Sequence, residues 1–93
     1  MNVIETVHIE DCFNGSYIRD VFLDSEITKA FIQKLGYGSK MQYFEDFSRP
    51  FFRIRVTGRY DVKGIQGTRK MRVHINNSDV FGIDDFISMI MEL

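Results

Sequence analysis

Residues 52–75 read FRIRVTGRYDVKGIQGTRKMRVHI, and apolar side chains recur at every second position over 52–62, Gly58 excepted, and again over 71–75. Phe52, Ile54 and Val56 share one parity, which continues through Gly58 and Tyr60 to Val62. Arg53, Arg55 and Thr57 take the other parity. Period-two alternation of this kind marks a strand with one buried and one polar face. It predicts one strand over 52–62. A second follows over 69–76, where Met71, Val73 and Ile75 alternate with Lys70, Arg72 and His74. The four residues from Gly64 to Gly67 then join the two strands as a hairpin, with both glycines as structural hairpin residues.

Working outward, Ser48-Arg49-Pro50 reads as a turn, because proline cannot donate to a central strand ladder. Before it, Met41, Tyr43 and Phe47 alternate with Gln42, Phe44 and Asp46, predicting a short strand with two partly apolar faces. A helix is expected over 25–35, started by Asp24 or Ser25 and ended by Gly36 and Gly38. Ile27, Ala30, Phe31 and Leu35 give it a helical apolar stripe. Near the N-terminus, β-branched residues over 2–9 predict a strand, and Asn14-Gly15 is a hairpin signal. Residues 16–23 then form a second strand, unless Ile18, Phe22 and Ile27 belong to one long helix over 17–35. After residue 75, Asn76 to Asp79 break the strand. Ile83, Phe86, Ile87 and Ile90 predict a closing helix with Asp84 and Asp85 at its positive end.

These elements define an α+β domain spanning 1–93. A single-layer antiparallel or mixed sheet of four to five strands carries two helices packed on one face. The chain is 44% hydrophobic and 27% charged, with nine Phe and four Tyr, which suits a thin, aromatic-rich core and argues against disorder. No apolar run reaches the length of a membrane span, and no secretory leader pattern is visible. The lone Cys12 supports neither an internal disulfide nor a thiolate zinc site. Those features point to a soluble, cytoplasmic protein.

The formal charge is −1, yet it is unevenly divided. Residues 49–74 carry eight Lys and Arg side chains and only Asp61, a local net of +7; the remainder carries −8. Both strands of the 52–75 stretch must turn their apolar parity toward one core. Arg53, Arg55, Arg59, Lys70, Arg72 and His74 then share the opposite face, with Lys63 and Arg69 near its tip. Like charges side by side on a sheet repel. Either carboxylates from elsewhere in the chain or a partner must therefore neutralise them.

Catalytic signals are weak. His8, Asp11 and Cys12 are close in sequence but fall at a strand end and turn, with no arrangement characteristic of an activated nucleophile. Glu10-Asp11 and Glu45-Asp46 are adjacent pairs, and neighbours on a strand point to opposite faces, whereas Asp84-Asp85 is accounted for by the positive end of the closing helix. KGIQGTRK lacks the spacing and the following helix of a phosphate-binding loop or a dinucleotide fingerprint. The expectation is a non-enzymatic module with neither metal nor cofactor. A protein partner or a homo-oligomer is the first expectation for the basic face. Nucleic acid is the alternative, with phosphates on Arg53, Arg55, Arg59, Lys70 and Arg72 and a base stacked on Tyr60 or an exposed Phe.

Overall fold

The computed structural model describes residues 2–12 and 15–93. Six strands and two helices follow in the order β1 (Val3–Asp11), β2 (Tyr17–Leu23), α1 (Lys29–Gly36), β3 (Lys40–Phe44), β4 (Phe51–Val56), β5 (Tyr60–Ile65), β6 (Lys70–Ile75) and α2 (Ile83–Met91). All pairings are antiparallel, and the strands lie in the spatial order β1-β2-β6-β5-β4-β3. Strands β3 to β6 form a meander that returns to the first hairpin, so β6 pairs with β2.

The α+β class and its two helices stand, but the expected count of four to five strands does not. The sheet has six because the stretch read as one strand over 52–62 is two. It folds back at Thr57–Arg59, where Gly58 adopts φ +79° and the Arg59 amide donates to the Val56 carbonyl at 3.0 Å. Val56 then sits directly opposite Tyr60. The paired residues are separated by an even number of positions, so apolar parity passes through the turn unbroken. Alternation alone therefore cannot distinguish this hairpin from a continuous strand. The positive-φ glycine was the signal.

The second connection also shifts. Strand β5 runs to Ile65, which places Gly64 inside the strand, opposite Phe52 and Met71, and leaves Gly67 at φ +87° in the turn. Gly64 is small for a packing reason. A Cβ there would lie 3.0 Å from Cε1 and Cζ of the buried Phe52 ring. Only Gly67 keeps the expected hairpin role.

At the N-terminal end, residues 17–23 form a strand and the long-helix alternative fails. Asn14, half of the predicted turn, lies outside the described residues, whereas Gly15 has φ +81°. Strand β1 is an edge with register shifts between Val3 and Glu5 and between His8 and Glu10. Such irregularities explain its imperfect alternation and blunt an exposed edge. Helix α1 begins later than expected. Thr28, not Asp24 or Ser25, accepts the Phe31 amide at 3.1 Å. In α2 the Asp85 carboxylate accepts the Gly82 amide at 2.8 Å, and the Tyr17 hydroxyl accepts the Ile83 amide at 2.8 Å. The second bond ties the helix start to the sheet.

One apolar core results. Val21 and Leu23 from β2, Phe52 and Ile54 from β4, Tyr60 and Val62 from β5, and Met71, Val73 and Ile75 from β6 meet the helical side chains Phe31, Ile32, Leu35, Phe86 and Ile90. Among the described residues no helix is long and apolar enough to cross a membrane. The helices cover one side of the sheet, and the other side carries the charged side chains.

Candidate binding face

Two ladders of directly opposed residues cross all six strands on the open face. Gln42, Arg53, Lys63, Arg72, Asp20 and Val7 form one; Lys40, Arg55, Asp61, His74, Ile18 and Glu10 form the other. Of the residues expected on this face, Arg53, Arg55, Lys63, Lys70, Arg72 and His74 are brought together. Lys63 lies at the centre of the sheet, between Arg53 and Arg72, and not at the hairpin tip.

The remaining expected residues lie elsewhere. Arg59 belongs to the β4–β5 turn, and its guanidinium carbon sits 5.8 Å from the centroid of the Phe81 ring. Arg69 follows the β5–β6 turn and lines a separate shallow groove with Asp24 and Glu26. Tyr60 is 3% exposed and packs against Phe81 and Phe86, with centroids 5.4 and 5.1 Å away. Its ring is part of the core and is closed to an incoming base.

Much of the missing counter-charge comes from the chain itself. Asp61 accepts from Arg53 at 2.7 Å (Nη2) and 3.1 Å (Nε), and from Arg55 Nε at 3.3 Å. Asp20, on β2, accepts from Arg72 Nε at 2.9 Å and Nη2 at 3.1 Å, a bidentate pair. Lys70 Nζ approaches the same carboxylate at 3.8 Å. Hydrogen bonding from Arg72 outweighs the opposing effect of burial and, with the charges of Arg72 and Lys70, holds the Asp20 pKa below the usual carboxylate range. For Asp61, burial pushes the pKa up. The hydrogen bonds and charges of Arg53 and then Arg55 overcome it, and the carboxyl again titrates low. Both aspartates are therefore ionised at neutral pH and orient the cations around them.

This neutralisation is incomplete. Two carboxylates serve Arg53, Arg55, Lys70 and Arg72, while Lys63 and Arg49 form no ion pair among the described residues. Lys40, opposite Arg55 on the edge strand β3, forms no ion pair among the described residues either, and surplus positive charge is thus left beside β4, β5 and β6. An open groove of about 610 Å³ lies there, bordered by Arg49, Lys63, Lys70 and Arg72, with Phe51 and Ile65 exposing apolar surface between the cations.

A second feature of this region is the place of the exposed Phe side chains, the expected alternative to Tyr60 for stacking. Phe44 and Phe51 are opposed on neighbouring strands with rings stacked at 4.4 Å and 21°, and Phe47 lies 5.3 Å from Phe51. Phe44, Phe47 and Phe51 remain 38%, 56% and 37% exposed. Phe51 shares the parity of Arg53 and Arg55, which is the signal that places it outside the core.

The groups considered for chemistry have ordinary partners or stand exposed among the described residues. His8 Nε2 lies 3.2 Å from Asp11 Oδ2, and Cys12 is exposed. Glu45 pairs with Lys29 at 3.0 Å, and Asp85 is engaged by the Gly82 amide. Among the described residues no group of three His, Cys, Asp or Glu side chains could hold a metal ion. Comparison with protein-family models, curated proteins and solved structures finds no match for this chain.

Proposed function

We propose that this protein is a non-enzymatic binding module and that the open sheet face is its contact surface for an anionic partner. The observation that carries this reading is the surplus of cations after internal pairing. Arg49 and Lys63 pair with no carboxylate among the described residues, and both border an open groove together with Lys70 and Arg72. A face with only solvent before it gains nothing from placing Lys63 directly between Arg53 and Arg72, since like-charged cross-strand neighbours repel. An approaching anion reverses the sign of that interaction. The Asp20 and Asp61 pairs contribute in another way. They hold four flexible cationic side chains in fixed positions, which lowers the ordering cost of binding.

Self-association is a second reading, favoured by the division of charge along the chain. The residues outside 49–74 carry −8, so another copy of the same chain presents an acidic surface of its own.

Retention on immobilised heparin, a polyanion without bases or peptide groups, tests the anion-binding reading. The wild-type chain is expected to elute at a higher salt concentration than Lys63→Glu or Arg49→Glu, because each reversal removes a phosphate-like or sulfate contact and its counterion release. Equal elution of all three proteins sinks the reading. Light scattering at low and high salt tests the second. A mass that stays that of one chain at both rules out self-association through charge.

A further inference from the structure

We infer that the aromatic end of the open face binds single-stranded nucleic acid, with bases stacked on Phe44, Phe47 and Phe51 and phosphates held by Arg49, Lys63 and Lys70. This rests on the reading of the face as an anion-binding surface and names the class of anion. Charge alone does not explain this end of the sheet. A polyanion that binds only through its charges has no use for three partly exposed phenyl rings, and burying those rings would have been the cheaper way to stabilise the fold.

The rings and the cations are interleaved. Phe51 lies opposite Ile65, one ladder position from the opposed Arg53 and Lys63 pair that faces the same side. Diagonal neighbours on one face of a sheet are about 7–8 Å apart, the scale of a single nucleotide. Arg49 and Lys70 line the same groove as Phe51 and Ile65. A single strand offers what this pattern needs, because each nucleotide carries a flat π-face and a phosphate. A duplex keeps its bases stacked on one another and presents only its backbone and groove edges, leaving the rings without partners.

The Phe trio also has a shape suited to stacking. Phe44 and Phe51 are stacked on each other, parallel to within 21° with centroids 4.4 Å apart, so each has only its outward face left for a base, and Phe47 stands at 66° to Phe44. Since every base has a π-face, contacts of this kind tolerate sequence variation. Asp20 and Asp61 lie under the neighbouring arginines; the carboxylates next to the rings are Glu45, paired with Lys29 at 3.0 Å, and Asp46, which precedes Phe47 in the chain.

Fluorescence anisotropy with a labelled oligothymidylate and a labelled oligouridylate tests this, alongside heparin retention of the same variants. The wild-type protein is expected to bind one or both oligonucleotides with an affinity that falls as salt rises. The double variant Phe44→Ala/Phe51→Ala is expected to weaken that binding about tenfold or more, while heparin retention stays unchanged. Should the double variant fail to fold, Phe51→Leu keeps apolar bulk without a π-face and is expected to lose affinity in the same direction. If heparin is retained but the phenylalanine variants bind the oligonucleotides as tightly as wild type, the stacking inference is overturned and the anionic-face reading stands. Displacement of the oligonucleotide by polyglutamate at equal charge concentration overturns it as well, in favour of an acidic protein partner. Loss of binding to heparin and oligonucleotide alike overturns both.

Discussion

Phe51 and Phe52 are adjacent in sequence, identical in chemistry and opposite in fate. Phe52 is fully buried against Gly64 in the core, whereas Phe51 is 37% exposed beside Phe44 and Arg49 on the far side of the same sheet. The same division runs along β4, β5 and β6. On the helix side, apolar transfer explains the side chains that point inward. On the open side, cations alternate with two aspartates, and one end is left with surplus charge and exposed rings. Stability accounts for the first face. The second has features that stability leaves unexplained, and those features carry the functional reading.

The comparison breaks most visibly with alanine at each position. Phe52→Ala is expected to lower unfolding free energy by about 3–5 kcal/mol, since it empties a packed site. Phe51→Ala is expected to lower it by about 1–2 kcal/mol, because its ring is already part-hydrated but stacks on Phe44 and Phe47. Urea denaturation of the two variants measures both, and equal losses would mean that the faces are not divided as described. Next in size is Gly64→Ala. With Gly64 in a strand and its would-be Cβ 3.0 Å from the Phe52 ring, overpacking is expected to cost about 1–3 kcal/mol. A thermal midpoint unchanged from wild type would return Gly64 to an open turn.

A more modest effect sharpens the account of the charged face. Asp20→Asn keeps the side-chain shape but weakens the bidentate acceptor of Arg72, with an expected loss of about 1–2 kcal/mol at neutral pH. The Asp20 pKa is lowered in the folded state, so its stabilisation is fully present above the unfolded carboxylate pKa and is lost as pH falls through the folded value. The gap between wild type and variant should therefore hold above about pH 4 and close below it. Urea midpoints collected across that range follow the closure. A gap that is constant with pH would show that the Asp20–Arg72 pair contributes through shape and not through charge.

Several elements were legible because local patterns reported them directly. The alternation in β4 and β6 identified which residues face the core, and the stripe in α2 together with Asp84 and Asp85 located the closing helix. Its capping was only half visible, since the Tyr17 hydroxyl arrives from a strand 66 residues earlier. The candidate face was partly legible for the same reason. Arg53, Arg55, Lys70, Arg72 and His74 follow from parity, but Arg59 does not, because the hairpin turn takes it off the ladder. Asp61 could have been read as their counter-ion, since it has the same parity as Arg53. Asp20 could not, because nothing local announces that β2 lies beside β6.

Sequence alone thus determined the inward and outward sides of the strands, since side-chain direction alternates with every peptide unit and apolar residues seek the core. It also determined that positive charge concentrates within residues 49–74. Tertiary structure decided how many strands that segment makes, as parity survives a hairpin whose paired residues are an even number of positions apart. It decided, too, that Asp20 neutralises Arg72 and that Phe44 stacks on Phe51. Both contacts depend on which strands become neighbours, and neighbour choice is a long-range outcome of closing the sheet over one core.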